Sequence, residues 1–438
     1  MHDTALEGYS IGNRRKYPRA DHLEESEPHD AWLNFTTGDV QDVNSFTEHH
    51  QLLASTPSNS SEASITAQEQ AFLYDSPIPL DEFWTSIHHA IPLFSDRNGF
   101  IISTQNADMA RTITLLTAKL TQFTFASVDP AELESLIERL LSSGALQEEL
   151  FGNSPSLDQL RKACLLSFYE FHQFPGQQAW MRIAKLVRIA YWIGLDRFDT
   201  GRRVFPGRQD MSQNEIDDWR LLWWCIYRLD SYANLASGTP YMVEEENVHT
   251  SLLTTAASCL QMQDQFAGPT EALFLPSRLS CLKDILPSIT SDSQETAEFN
   301  LHLVTVTAMR QVGRGLRQYL LNREKAANTT SPKDLQDQLS VLRLSLPPHF
   351  LNPMRNALQN EGPLMHHARL VTILHLHMAK LLIAILSCGH CVEGDEWLLA
   401  WQHILETAQD IATISAQWNP TAVCEDMDII EAAYPPGM

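Results

Sequence analysis

Residues 179–199 read AWMRIAKLVRIAYWIGLDRFD, and residues 212–240 read SQNEIDDWRLLWWCIYRLDSYANLASGTP. In both stretches the apolar side chains recur every three or four residues, a spacing that places them on one face of an α-helix. The residues between the two stretches are mostly polar and include three arginines. The sequence therefore predicts two helices joined by a loop, and the rest of the chain is organised around them.

Capping residues mark the ends of both predicted helices. Gly194 follows the first helix, and glycine tolerates the left-handed backbone that closes many helices. Ser212 and Glu215 stand three residues apart and predict a capping box at the start of the second helix. Gly238 and Pro240 predict where the second helix ends.

One carboxylate lies on the apolar face of the second helix. Asp230 is seven residues after Trp223 and shares its face with Ile226. A carboxylate among apolar side chains must be paired or hydrogen-bonded, because its desolvation is costly. We expect Arg188 of the first helix to be its partner, with Arg220 as the second candidate.

These residues resemble the fungal-specific transcription factor domain, the all-helical regulatory middle region of fungal binuclear zinc-cluster transcription factors. One departure is visible: the family often has two or three adjacent arginines before the tryptophan pair, whereas Asp218 and Trp219 here precede a single arginine. The resemblance implies an all-α, multi-helix array in which the signature residues are structural. The signature residues are Trp180, Ala184, Arg188, Gly194, Leu195, Arg220, Trp223, Trp224, Tyr227, Asp230, Gly238 and Pro240.

Two later features accompany this pattern. Three consecutive acids, residues 244–246, follow Pro240 where the family usually has acidic residues. Residues 299–321 predict a long helix with Arg310, Arg314 and Arg317 along one side.

The composition limits the classes of function that fit. The chain has 438 residues, is 44% hydrophobic and carries a formal net charge of −23, so it can bury a sizeable core. DNA binding depends largely on Lys and Arg that neutralise phosphates, so most of this surface is unsuited to DNA binding.

Seven cysteines without a secretory signal indicate a reducing compartment. Residues 370–386 are the most apolar stretch, but two histidines and a lysine within it favour a buried helix over a membrane span.

The N-terminal 70 residues are rich in Ser, Thr, Asn and acids and lack apolar periodicity. We therefore expect a disordered arm at 1–70 and an all-helical regulatory domain at 71–438. The arm carries a basic cluster, which is either a nuclear localisation signal or a solvated charge run. The cluster consists of Arg14, Arg15, Lys16 and Arg19.

No cysteine precedes Cys164, whereas the DNA-binding members of the family carry six cysteines that hold two zinc ions near the N-terminus. We therefore expect the recognition module to be missing, either from the gene product or because the sequence is truncated. On this expectation the chain has no DNA-binding residues of its own and reaches DNA indirectly or through the missing module. Zinc is expected only with such a module.

Motifs of catalytic or metal sites are sparse. The sequence contains no G-x-S-x-G, H-E-x-x-H, Walker loop or dinucleotide fingerprint. Residues 388–391 read CGHC, but a closed zinc site needs a second ligand pair. Four histidines could complete one, and we favour free thiols at a helix end. Those histidines are His366, His367, His375 and His377. We predict no catalytic, cofactor or metal site, and no enzyme.

The resemblance implies a nuclear, pathway-specific transcription regulator for a fungal gene cluster such as one of secondary metabolism. Its helical domain would be the regulatory and interaction part. The expected partners are other transcription regulators or the transcription machinery, a small-molecule effector and a second copy of the chain, with no membrane. Two alternatives stay open: an interaction protein that has lost DNA binding and acts through a partner factor, and an all-α enzyme without a recognisable motif.

Overall fold

The structure is a computed structural model that describes residues 78–121, 130–142, 155–200, 210–254, 272–321, 331–354, 362–390 and 394–417. All of them fall within one compact unit, Thr66–Met438. The predicted arm at 1–70, its basic cluster and the boundary at residue 70 lie outside the described residues.

The regular structure of the described residues is helical, which confirms the all-α prediction. A lone antiparallel bridge joins Ser251 to Phe274. A π-helical turn, Phe83–Ile87, follows the first helix directly. The helices are α1 Ile78–Glu82, α2 Arg97–Thr104, α3 Ala107–Leu120, α4 Pro130–Ser142, α5 Leu157–Gln173, α6 Gln177–Ile193, α7 Gln213–Ser237, α8 Leu282–Thr290, α9 Gln294–Leu321, α10 Pro332–Ser345, α11 Pro363–His390 and α12 Asp395–Ser415.

The helices form two groups that meet at α7. In the first group α5, α6 and α7 pack against one another, and α3 joins them through α5. In the second group α9 and α11 form the most extensive helix pair, with α8, α10 and α12 packed around them. Helix α7 contacts α9, and this crossing joins the two groups. Gly313 of α9 permits the close approach there, because a Cβ at this position would lie 3.0 Å from Leu235 Cδ1 of α7 and 2.6 Å from Tyr241 Oη in the chain that follows α7.

Both predicted helices of the organising stretch are present, with the predicted caps. Helix α6 ends at Gly194, whose φ is +82°. The Ser212 hydroxyl accepts from the Glu215 amide, and the Glu215 carboxylate accepts from the Ser212 amide. Gly238, with φ +64°, closes α7. These local signals therefore determine where the helices begin and end.

Helix α7 is the centre of the fold. Every residue from Asp218 to Asn234 is buried, on all faces of the helix. A helix with no solvent-facing side must lie in the interior of a large core. Unlike a uniformly apolar helix, however, α7 carries charged and polar side chains into that core, and these side chains need partners.

The chain before α8 is irregular. It is extended at Phe274 and turns at Leu279–Cys281, and α8 begins only at Leu282. Pro276 accounts for the late start, because the residue before a proline is biased away from helical backbone.

Residues Met365–Gly389 of α11 are long and apolar enough to cross a membrane by length and composition. However, 67% of the most apolar window is buried inside the fold, where α11 packs against α9, α10 and α12. Core helices of this kind pass the same test as membrane spans, and the burial supports the interpretation as a core helix.

Candidate functional site

The partner of Asp230 is Arg310, at the crossing of α7 and α9. Arg310 Nη1 lies 2.8 Å from Asp230 Oδ2, and both side chains have an exposed fraction of 0%. The predicted burial of Asp230 is confirmed, but both predicted partners were wrong. Arg188 is exposed and makes no ion pair within the described residues. Arg220 binds other carboxylates.

Asp230 receives four donors. Its Oδ1 accepts from Asn234 Nδ2 at 2.6 Å and from the Met242 amide at 3.1 Å. Its Oδ2 accepts from Arg310 and from the Val243 amide at 3.1 Å. The carboxylate is thus saturated by groups from α7, from α9 and from the chain that follows α7.

Arg310 has several partners besides Asp230. Its guanidinium donates to Ser231 Oγ at 3.0 Å and to the carbonyl oxygen of Val243. It also lies over two aromatic rings, 4.2 Å from the centre of Tyr241 and 4.9 Å from that of Tyr227. Such stacking suits a guanidinium better than an ammonium group.

Glu245 is the second carboxylate of this buried set. Its Oε1 lies 2.9 Å from Arg310 Nε and accepts from Tyr227 Oη at 2.9 Å. Its Oε2 lies 3.2 Å from Arg314 Nη2 and accepts from Gln311. Two carboxylates therefore face two arginines, and the set is electrically neutral. Burial raises the pKa of Glu245, and the two arginines act against that rise.

We call these four charged residues, Asp230, Glu245, Arg310 and Arg314, the ionic core. Burial lowers the pKa of Arg310, but the neighbouring phenol and the two carboxylates raise it above the usual arginine value. Each of the four charged groups lies beside a group of opposite charge, and all except Arg314 are almost completely shielded from solvent. The ionic core therefore stabilises the helix crossing, and its two carboxylates are occupied by groups of the protein itself.

Helix α7 also binds residues 239–252, which we call the return segment. Arg220 makes two contacts with Asp199, at 2.6 and 3.1 Å, and Asp199 Oδ2 accepts from the Ser251 amide at 2.7 Å. Trp224 Nε1 donates to the Ser251 carbonyl at 2.9 Å. One face of α7 thus binds the return segment along its length, from Arg220 to Asp230.

Another face of α7 holds residues 90–95. Asp218 forms an ion pair of 2.6 Å with Arg161 of α5 and accepts from the Ser95 amide at 2.6 Å. Cys225 Sγ lies 3.3 Å from the Pro92 carbonyl, and Arg228 donates to the Ala90 carbonyl at 3.0 Å. The helix therefore satisfies the backbone of irregular chain on two sides.

Most of the remaining signature residues also lie within the packing. Trp180 Nε1 donates to Asn234 Oδ1 at 2.8 Å and to Thr239 Oγ1 at 3.1 Å, which ties α6 to the end of α7. Leu195, Trp223 and Trp224 are fully buried, so both tryptophans of the pair belong to the core. Pro240 is exposed in the turn.

Sequence reasoning missed the roles of Arg310, Glu245 and Tyr241. Two signals were available: an arginine within the apolar part of a long helix, and the acidic run after Pro240. Neither signal identifies the partner, because Arg310 is 80 residues from Asp230 along the chain.

A second polar cluster joins α7, α9 and α11. Tyr232 Oη lies 2.7 Å from His302 Nε2 and 2.9 Å from His375 Nε2, and His375 Nδ1 lies 3.0 Å from Thr305 Oγ1. Burial, followed by the nearby Arg228 charge, lowers the pKa of His375 to about 3. Both ring nitrogens of His375 are engaged, so this residue does not complete a zinc site.

The described residues contain no group of three or more His, Cys, Asp or Glu arranged to hold a metal ion. His366 Nε2 lies 2.9 Å from the Pro353 carbonyl, near the start of α11. The CGHC sequence at 388–391 lies at the opposite end of this helix. Cys388 is half-buried near the C-terminal end of α11. The His390 side chain and Cys391 lie outside the described residues.

Volume-conserving changes in the ionic core test its contribution to stability. Asp230→Asn and Arg310→Met should each lower the free energy of unfolding by about 3–5 kcal/mol, because each leaves a buried charge without its partner. The double variant should lose less than the sum of the two. Chemical denaturation followed by circular dichroism measures all three. Arg188→Ala is the matched control and should unfold like the wild type; a loss equal to that of Arg310→Met would contradict the assignment.

The buried histidines predict a pH dependence of stability. Burial lowers the pKa of His172 and His375 to about 3, whereas an unfolded histidine titrates near pH 6.5. Below pH 6.5 the unfolded chain therefore binds more protons than the folded one. Each of these histidines should then remove up to about 1.4 kcal/mol of unfolding free energy per pH unit. Stability should fall between pH 6.5 and 5, as measured by urea denaturation at each pH.

Two controls isolate this effect. His375→Gln should reduce the slope by about one proton, while His403→Gln, at a position whose side chain is 45% exposed, should leave it unchanged. The raised pKa of Glu245 acts in the opposite sense on stability. The folded chain takes up this proton at a higher pH than the unfolded chain, whose carboxyl groups titrate near pH 4. A stability that is constant between pH 7 and 5 would contradict the prediction.

Comparison with known proteins now supplies the family. The sequence model of the family described as "Fungal specific transcription factor domain" matches residues 80–339, which include the ionic core and the return segment. The pigment biosynthesis transcriptional activator pigB of Monascus ruber is 28% identical over 127 residues, covering 28% of this chain and 22% of that protein. The match thus spans less than a quarter of the relative's own length. No solved structure gives a significant match. Because the family match covers more than half of the 438 residues, this chain belongs to the fungal-specific transcription factor domain family.

Proposed function

We propose that this chain regulates, in the nucleus, the transcription of one biosynthetic gene cluster. Membership of the family supports a role in transcription. The similarity to an activator of pigment biosynthesis supports a pathway-specific role, in secondary metabolism. Basic residues of the N-terminal arm would direct nuclear entry, namely Arg14, Arg15, Lys16 and Arg19.

The observation that carries this proposal is the chemistry of the buried polar groups. The ionic core is neutral and its carboxylates are saturated, with Asp230 receiving four donors and Glu245 meeting two arginines. Catalytic carboxylates instead need an open position for substrate and a pKa matched to their task. The helical domain therefore supplies a stable scaffold for regulation and interaction, and family membership also favours a protein that is not an enzyme.

The proposed partners follow from this scaffold role. They are other transcription regulators or the transcription machinery, a small-molecule effector and a second copy of the chain. The net charge of −23 makes most of the surface unsuited to phosphate contact. DNA would therefore be reached through a partner factor, or through a zinc-cluster module outside this sequence.

Deletion of the gene in the source fungus tests the proposal. Transcripts from one contiguous gene cluster should change together, because a pathway-specific regulator acts on several promoters at once. RNA sequencing measures this, with complementation by the wild-type gene and by Arg188→Ala as the controls that restore expression. A changed metabolite profile with unchanged cluster transcripts would instead indicate an enzyme of the pathway and would overturn the proposal.

A further inference from the structure

Helix α12 has one buried side and one apolar side that is not covered. The buried side, which includes Ile404 and Ile411, belongs to a helix that packs against α11. On the uncovered side, four large apolar residues are each 39–61% exposed. Single exposed apolar residues are common on protein surfaces, whereas a group of them on one helix face marks an interaction surface. The four residues are Trp397, Leu398, Trp401 and Leu405.

The uncovered side continues along the helix as a single stripe. The ring centres of Trp397 and Trp401 lie 6.1 Å apart, so the two indoles form one surface. Leu405, Ala408 and Ala412 follow at intervals of three or four residues, which places all five residues on one side of the helix. Ala408 is half-buried and Ala412 is exposed. We call these five residues the outer seam, which is about 22 Å long.

The side chains of the outer seam become smaller along the helix. Two tryptophans occupy its N-terminal end, a leucine its middle and two alanines its C-terminal end. Two such seams fit closely only when the helices are antiparallel, because large side chains then face small ones. In that arrangement Trp397 faces Ala408 of the second copy, and Trp401 faces Leu405 of the second copy. A parallel pair would oppose bulky side chains at one end and leave a gap at the other.

The outer seam itself is uncharged. Helix α12 contains four acids and neither Lys nor Arg. Each acid is rotated by about 120° or more around the helix axis from Trp401, at the centre of the large side chains. A partner with cations would therefore not meet these acids in the seam, whereas a second seam buries no charge. The four acids are Asp395, Glu396, Glu406 and Asp410.

The exposed area sets the strength of such a contact. Trp397 is 39% exposed and Trp401 is 45% exposed, which together gives roughly 130–210 Å² of apolar surface per copy. The exposed parts of Leu398 and Leu405 add to this area. A standard stable interface buries about 800 Å² per partner. The seam is smaller than that, so it supports a weak and reversible contact.

We propose that α12 is the contact surface of a weak homodimer, in which the outer seams of two copies pack antiparallel about a two-fold axis. A two-fold contact uses the same patch on both copies, so it closes at the dimer. The inference rests on the proposed function in one respect, since that function includes a second copy among the partners. Helix α12 lies outside residues 80–339, which match the family model, so the inference comes from this chain's own residues.

Sedimentation velocity of the full 438-residue chain, between about 1 and 200 µM, tests the proposal. The chain should shift reversibly from monomer to dimer, with a dissociation constant of roughly 1–100 µM. The dimer should strengthen as NaCl is raised from about 50 to 500 mM, because salt screens the repulsion between two chains of net charge −23. A monomer at every concentration and salt level overturns the proposal.

A charge placed in the seam tests which surface makes the contact. Leu405→Glu should weaken the dimer at least about tenfold, because it sets a carboxylate against Trp401 of the second copy at two symmetric places. Leu344→Glu is the matched control, since it makes the same change at a leucine of α10 that is 83% exposed. It should dimerise like the wild type. Equal losses in the two variants would show that α12 is not the contact.

Two complementary variants test the antiparallel arrangement. Trp397→Lys and Ala408→Glu should each dimerise at least about tenfold more weakly than the wild type, because each puts a charge at both ends of the paired seams. Their equimolar mixture should dimerise more strongly than either variant alone. In the mixed dimer the introduced lysine faces the introduced glutamate at one end, and the other end is native.

A mixture that dimerises no better than the separate variants overturns the antiparallel arrangement. Circular dichroism of each variant checks that the helices are retained. In each of these cases the proposed role in transcription is untouched, because the deletion experiment tests it separately.

Discussion

A carboxylate with no exposure to water has to recover its hydration free energy from fixed donors, and Asp230 meets this constraint with four of them. The idealised cost of moving such a charge into a medium of low dielectric constant is of order 20 kcal/mol, and the cost after relaxation is still several kcal/mol. The donors come from α7 itself, from α9 and from the return segment. Three parts of the chain must therefore be in place together before the charge can be buried.

The same requirement applies along the whole of α7. Asp218, Arg220 and Arg228 are each less than 10% exposed. Asp218 and Arg228 bind the backbone of residues 90–95, and Arg220 reaches the return segment through Asp199. In a purely apolar core, loops could shift against the central helix at little cost. Here a shift would leave buried charges or carbonyls without partners. The polar groups of α7 therefore specify the arrangement of the loops, while its apolar groups supply most of the buried area.

Local features of this fold were predictable from the sequence, and long-range pairing was not. The capping box at Ser212, the left-handed glycines and the helical periodicity all act within one or two turns, so they are visible in a short stretch. Asp230 was predictably buried because of its place on the apolar face. The partner of Asp230 was not predictable, because nearness along the chain favoured Arg188. Arg188 follows the buried Val187 by one residue, which is a rotation of about 100° around the helix axis. That rotation turns Arg188 toward solvent, and the partner comes from α9.

Native-state hydrogen exchange at the amides of Met242 and Val243 tests the central claim most directly. These two amides donate to Asp230 from a segment that is neither helix nor sheet. If the ionic core fixes the return segment, both should exchange only on global unfolding, as slowly as the core amides of α7, and Arg310→Met should release them. Exchange at the rate of exposed loop amides in the wild type would show that the return segment opens independently, and it would contradict the account.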